Sequence, residues 1–212
     1  MSTPINESSK HRWTRAVVSR LVDVGIVFVG VYAAFALNGH LIHQQEQQRR
    51  SQILAYLEKG AVAAAERLKS VTANYDRNMN QFLDQLAKGD MPEITAISWA
   101  SSYNPNENAW LLQAGGLELL DIETIARMRE LDTAASTGLA TMAHYQTLSD
   151  QLIAPHLGDG RSFFYDPSTK QLRKEYAQYP AILQEGSVIL HDITQKTDQL
   201  VAQLRVEQGH HP

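Results

Sequence analysis

Residues 43–88, HQQEQQRRSQILAYLEKGAVAAAERLKSVTANYDRNMNQFLDQLAK, decide the fold. The stretch holds no proline, and Gly60 is its only glycine. Leu54, Leu57, Ala61, Ala64, Leu68, Val71, Tyr75 and Phe82 keep a seven-residue period, with Asn78 the one polar lapse. That period puts apolar side chains on one stripe of a long helix, as in the seam of an antiparallel bundle or a coiled coil.

Downstream, Gly89 stops this helix. Asp90-Met-Pro-Glu93 has the form of a capping box and predicts a short helix to about Ser102. Asn104-Pro105-Asn-Glu107 repeats the signature for a second short helix, which carries Trp110, Leu111 and Ala114 and ends at Gly115-Gly116. Asp121 caps a long helix reaching about Leu157, lined by Met128, Leu131, Ala135, Gly138, Met142, Tyr145 and Leu152. Pro155 lies in its last turn and predicts a frayed or kinked end. In residues 163–172, aromatics precede an Asp-Pro turn, which predicts a small β-hairpin. Pro180 opens the last helix, striped by Leu183, Gly186, Leu190, Ile193, Thr197, Leu200 and Leu204. Three striped helices bury their stripes against one another as an up-down-up bundle, closed at one end by the two short helices. Ala61 and Ala64, with Ala135 and Gly138, predict a close helix approach.

Upstream, residues 21–42 form an apolar run long enough for a bilayer core, with Asp23, Asn38 and His40 near its ends. Lys10, Arg12, Arg15 and Arg20 precede it, which predicts a cytoplasmic N-terminus and a periplasmic C-terminal domain at the bacterial inner membrane. The competing reading is a signal peptide cut after Ala36 in Ala34-Phe35-Ala36; the length of the n-region and the continuing apolar run favour an anchor. The expected organisation is a cytoplasmic tail (1–20), a transmembrane helix (21–42) and an exported bundle (43–212). The fold class is mainly α: one N-terminal transmembrane helix running into an exported antiparallel bundle of three long and two short helices, with a small β-hairpin. Asp23, Gly30, Ala34 and Asn38 share a narrow arc, and Gly30-x-x-x-Ala34 allows close approach of another helix, a protein partner's or a second copy's.

The net charge is −4, and the part beyond the basic N-terminal cluster is acidic. An acidic domain without a basic stripe speaks against nucleic-acid binding. No cysteine is present, which removes disulfides, thiolate nucleophiles and Cys-ligated metals. His40 and His43 are spaced i, i+3 but read as a polar interfacial collar, and His144, His156 and His191 stand apart in sequence. Glu118, Asp121, Glu123, Glu130 and Asp132 lack the Glu-x-x-His pairs of a carboxylate metal site, and Glu123 suits Arg127 at i, i+4. No nucleotide-binding loop or nucleophile elbow occurs. The expectation is therefore no enzyme, no cofactor and no metal. If the second long helix returns toward the membrane, Phe163, Phe164 and Tyr165 reach the bilayer surface or a membrane-embedded partner. The alternative is that at least two of these rings plug the open end of the bundle.

Gly30-Val31-Tyr-Ala-Ala34-Phe35-Ala-Leu37-Asn38-Gly-His40, followed by Arg49-Arg50, resembles a group of uncharacterised single-pass bacterial proteins. In that group an apolar run closes on a Gly-Val-x-x-Ala-Phe-x-Leu-Asn/Asp-x-Trp pattern before an Arg-rich helix; here His40 takes the tryptophan position. Trp110…Gly115-Gly116-Leu-Glu-Leu-Leu120 is a second point of likeness. The resemblance implies a membrane anchor and an exported helical domain, and no particular activity. The functional expectation is an interaction protein, an accessory or scaffolding subunit of an envelope complex. The alternative is a ligand-sensing periplasmic bundle that signals through a partner, with an enzyme ranked last.

Overall fold

A computed structural model describes the backbone of residues 8–98 and 116–209, and the side chains of residues 44–98 and 116–209. The described chain is mainly helical and contains no strand: α1 is Ser8–Ala87, α2 is Ile122–Leu152 and α3 is Tyr179–Glu207. Two compact units divide it, residues 1–49 and residues 50–212. In the first unit the described backbone is helical from Ser8 onward. Among the residues described with their side chains, no helix is long and apolar enough to cross a membrane. The run at 21–42, where the span is expected, lies outside them.

The second unit is built around two apolar clusters. At the end where the chain enters, Ile53, Leu54 and Leu57 of α1 pack with Leu120 and with Leu200 and Leu204 of α3. At the far end, Phe82 packs with Ile94, Ile97, Ile153, Phe164, Tyr165, Tyr176 and Tyr179. Outside these clusters Ala65, Thr72, Ala135, Gly138 and Thr197 are buried along with Met142 and Leu190. The α1 seam therefore differs from the expected stripe. It passes through Ala65 and Thr72, while Ala64 and Val71 face solvent. A straight helix of 3.6 residues per turn drifts off a strict seven-residue repeat, so each later contact falls slightly further along.

Helix direction also differs from the expected up-down-up order. Asp121, at the start of α2, meets Arg50, and Ser149, near its end, meets Ile97 beside the Phe82 cluster. Hence α2 runs parallel to the second-unit part of α1. Tyr179, at the start of α3, packs edge-on against Phe82 at 5.2 Å, and Arg205, near its end, pairs with Glu58. Hence α3 runs antiparallel to both. The reason is the length of the α1–α2 connection. Residues 94 and 97 pack at the far end and Leu120 at the near end, so this connection returns the chain to its starting level before α2 begins.

Three local expectations are corrected. Residues 91–98 are not helical. Their backbone groups are taken by side chains instead: the Tyr165 hydroxyl donates to Pro92 O at 2.8 Å, Tyr179 to Thr95 O at 3.0 Å, and Ile97 N–H donates to Ser149 Oγ at 2.8 Å. Those bonds satisfy the chain while Ile94 and Ile97 enter the core. The second long helix ends at Leu152, and Pro155 opens a 3₁₀ turn, Ala154–Asp159. The hairpin at 163–172 reduces to a single antiparallel bridge, Tyr165↔Leu172. There Asp166 Oδ1 accepts the N–H of Ser168 at 2.8 Å and of Thr169 at 3.1 Å, an Asx turn that leaves too little chain for a ladder. The expected helix at 105–114 lies outside the described residues. After it, Gly116–Leu119 forms a 3₁₀ turn.

Candidate functional site

A polar layer, buried at Thr72 and Ser187 and open to solvent at His191, links α1 to α3. Thr72 and Thr194 share a hydrogen bond of 3.2 Å, and the Tyr75 hydroxyl donates to Leu183 O at 2.9 Å. One turn on, Ser187 Oγ donates to Asp76 Oδ1 at 2.6 Å, and His191 Nε2 stands 2.8 Å from Asp76 Oδ2. Ser187 and His191 are four apart on α3, which puts both on the face toward α1. The serine hydrogen bond, with help from the histidine, holds the Asp76 carboxyl below the usual carboxylate range. Asp, His and Ser are the residue types of a nucleophilic triad, but here the carboxylate stands between the other two. The serine gives its hydrogen to Asp76 rather than to the imidazole, so the cluster fastens two helices and activates no hydroxyl.

A second cluster closes the entry end. Glu207, in the last turn of α3, has a fully buried side chain. Its Oε1 accepts from Arg50 Nη2 at 2.9 Å and from the Asp121 N–H at 2.8 Å, and its Oε2 accepts from the Thr124 hydroxyl. A carboxylate from one helix thus caps the start of another, where unpaired N–H groups and the helix dipole favour negative charge. Asp121 was expected to cap this helix through its own side chain. Its carboxylate turns instead to Arg50 at 2.9 Å, and no side-chain cap bond forms.

On the outside, α2 and α3 leave an open groove of about 680 Å³. It is lined by Ala134, Thr137, Gly138, Val188 and Ile189, together with Arg129, Glu185 and Lys196. Gly138 makes the groove by letting α3 come close: a β-carbon there would stand 2.6 Å from Ile189 Cγ2. The expected close approach at Ala135 and Gly138 is thus formed between α2 and α3. On α1, Ala64 is exposed.

The residues singled out from sequence fall as follows. Asp23, Gly30, Ala34 and Asn38 lie outside the residues whose side chains are described, as do His40, His43, His210 and His211. Phe164 and Tyr165 are buried at the far end of the unit, with exposures of 2% and 0%. Phe164 meets Tyr176 edge-on at 5.0 Å. Burial, the main cause, pushes the Tyr165 phenol up to about 12. Phe163 is half-buried, stacked on His156 at 4.2 Å, with Arg173 above its ring. Of the two readings, the burial of Phe164 and Tyr165 accords with the plug at the end of the bundle. Because α2 runs away from Arg50 rather than back toward it, the rings plug the far end of the unit. Glu123 and Glu130 both pair with Arg127 at 3.0 Å, the former as its spacing predicts. Among the described residues, no three His, Asp or Glu side chains are grouped to hold a metal ion.

The Asp76 and Glu207 clusters escaped the sequence reading. A signal for the first was present: Asp76 lies on the 3.6-residue continuation of the seam from Thr72, opposite Ser187 and His191 beside Gly186 and Leu190. The second joins residues 157 positions apart and leaves no local mark. No family model, curated protein or solved structure matches the chain, so these clusters and the groove are what a functional reading has to stand on.

Proposed function

We propose that the chain is a membrane-anchored interaction protein, an accessory or scaffolding subunit of a bacterial envelope complex. Residues 21–42 would be the anchor, with the N-terminus cytoplasmic and the helical unit periplasmic. The observation that carries the reading is the groove between α2 and α3. The polar groups described above are engaged in tying helices together, whereas the groove presents small and apolar side chains to the outside, including Val188 at 67% exposure. A concave apolar strip between two helices is the shape into which another helix packs. The apolar run, without a charged residue from Val24 to Gln45, and its basic flank, together with the likeness to single-pass bacterial proteins, support the anchor.

The test is affinity capture of the detergent-solubilised full-length chain, alongside a Val188→Arg variant and a variant without residues 1–42. The expected result is a retained protein species, a second copy of the chain included, that the groove variant loses. Capture of nothing, or equal capture by all three, removes the reading. A reporter active only in the cytoplasm, fused after Pro212, should be silent; activity there reverses the topology.

A further inference from the structure

We infer that the α2–α3 groove is a self-pairing face, on which a second copy of this chain docks antiparallel about a two-fold axis near Ala134 and Thr137. The inference rests on the reading of the chain as an interaction protein and names its partner. It stands on the distribution of charge around the groove. Lys196 is already paired with Asp192, and Glu130 with Arg127. Two charged groups are left over. Arg129 has no acidic partner among the described residues, and Glu185 meets only the hydroxyl of Tyr145.

These two groups lie at opposite ends of the groove. Gly138 faces Ile189 and Tyr145 faces Glu185, so Glu185 stands near the level of residues 142–145 on α2. Arg129 lies about 20 Å from that level, at a rise of 1.5 Å per residue. Within one copy that distance is too great for a contact. A two-fold axis midway between them, at the level of residues 135–136, brings each Arg129 over the other copy's Glu185. A closed two-fold contact requires a surface complementary to itself in this way.

The same operation places the exposed Val188 of each copy over Thr133 and Ala134 of the other, residues small enough to let the helices approach. A foreign helix with matching charges would fit one groove, but it would not explain why the two groove charges without an ion-pair partner are opposite in sign and placed at opposite ends. Pairing buries both charges against each other and covers the most exposed apolar side chain of the groove.

The chain contains no cysteine, so one introduced thiol reports one contact. The experiment is oxidative crosslinking of the full-length protein in its membrane, with Thr137→Cys beside the axis and Ala143→Cys, also exposed, on another face of α2. The expected result is a disulfide-linked species of twice the chain mass from Thr137→Cys and at least about fivefold less from Ala143→Cys. Arg129→Glu and Glu185→Arg, each added to Thr137→Cys, should reduce the dimer at least about fivefold, and together they should restore it. Thermal melts of the same variants check that each is folded. Equal crosslinking at both positions, absence of a dimer, or failure of the double reversal to restore one overturns self-pairing. Capture of a different protein through the groove would also overturn it while leaving the interaction reading standing. Empty capture with no crosslink removes both.

Discussion

Gly138 on α2 and Ile189 on α3 are in such close register that a β-carbon on the glycine would stand 2.6 Å from the isoleucine Cγ2. Alanine in a helix interior gains about 1 kcal/mol over glycine. Here Ile189, whose β-branched side chain is stiff, has to move, and overpacking of this kind costs about 1–3 kcal/mol. Gly138→Ala should therefore lower stability by about 1 kcal/mol net, and Ile189→Ala should suppress that loss in the double variant. Urea unfolding of the four proteins measures the coupling. A stabilised Gly138→Ala protein would show that the helices separate freely.

Phe164 belongs to the far-end core, at 2% exposure. Phe164→Ser should cost about 3–5 kcal/mol, the range for emptying an aromatic core site, and should leave membrane attachment unchanged. Denaturant unfolding and flotation with vesicles read the two quantities separately. A variant of full stability that detaches from vesicles would return the ring to the surface.

Glu207 holds three donors at the entry end. Glu207→Ala leaves the Asp121 N–H and the Thr124 hydroxyl without this acceptor and Arg50 with Asp121 alone, and should cost about 2–4 kcal/mol; Glu207→Gln, which keeps an acceptor oxygen, should cost less. Hydrogen exchange should show the loosening first at the amide of Asp121. Equal losses for the two variants would mean that the negative charge, rather than an acceptor oxygen of the right size, is what these donors require.

Asp76 has its carboxyl pKa lowered in the folded chain, chiefly by the Ser187 hydrogen bond. For a lowered folded pKa, the added stability is complete above the unfolded value of about 3.9 and is lost as pH falls through the folded one. Asp76→Asn should thus be less stable than the parent at pH 6, and the gap should narrow as pH drops below about 4. Melting temperatures across pH 2–7 provide the check. A gap constant over that range would remove the charge from the account.

Within the apolar run, Ala34 and Phe35 are about 100° apart on a helix. If Gly30 and Ala34 form a helix contact, Ala34→Cys should crosslink to a neighbour and Phe35→Cys should do so much less. Equal yields would make the small residues incidental.

The last helix was the most legible part of the sequence. Of the seven residues expected on its inner stripe, Gly186, Leu190, Thr197, Leu200 and Leu204 are buried, and Leu183 and Ile193 are half-buried. A stripe is a local property, set by which residues recur every turn, and sequence carries it well. Direction is different. The stripes of α1 and α2 are compatible with either relative orientation, and only the route of the connection decides between them. The capping signature at Asp90 misled for a related reason. Pro92, Thr95 and Ile97 found hydrogen-bond partners on Tyr165, Tyr179 and Ser149, residues more than fifty positions away. Such tertiary bonds outweigh a local helix signal without altering it. The groove charges were equally hidden, because Arg129 and Glu185 acquire meaning only once α2 and α3 are in register.

The parallel course of α1 and α2 has a consequence for synthesis. Of the three long helices, α2 and α3 alone form an antiparallel pair close in sequence, which closes with little loss of chain entropy. The apolar seam of α1 leaves the ribosome before α2 and α3, yet Leu54 and Leu57 find Leu200 and Leu204 only once α3 has followed. For most of that time an amphipathic stripe has no partner. A holdase, or a membrane close at hand, would therefore be expected to matter while this chain is being made.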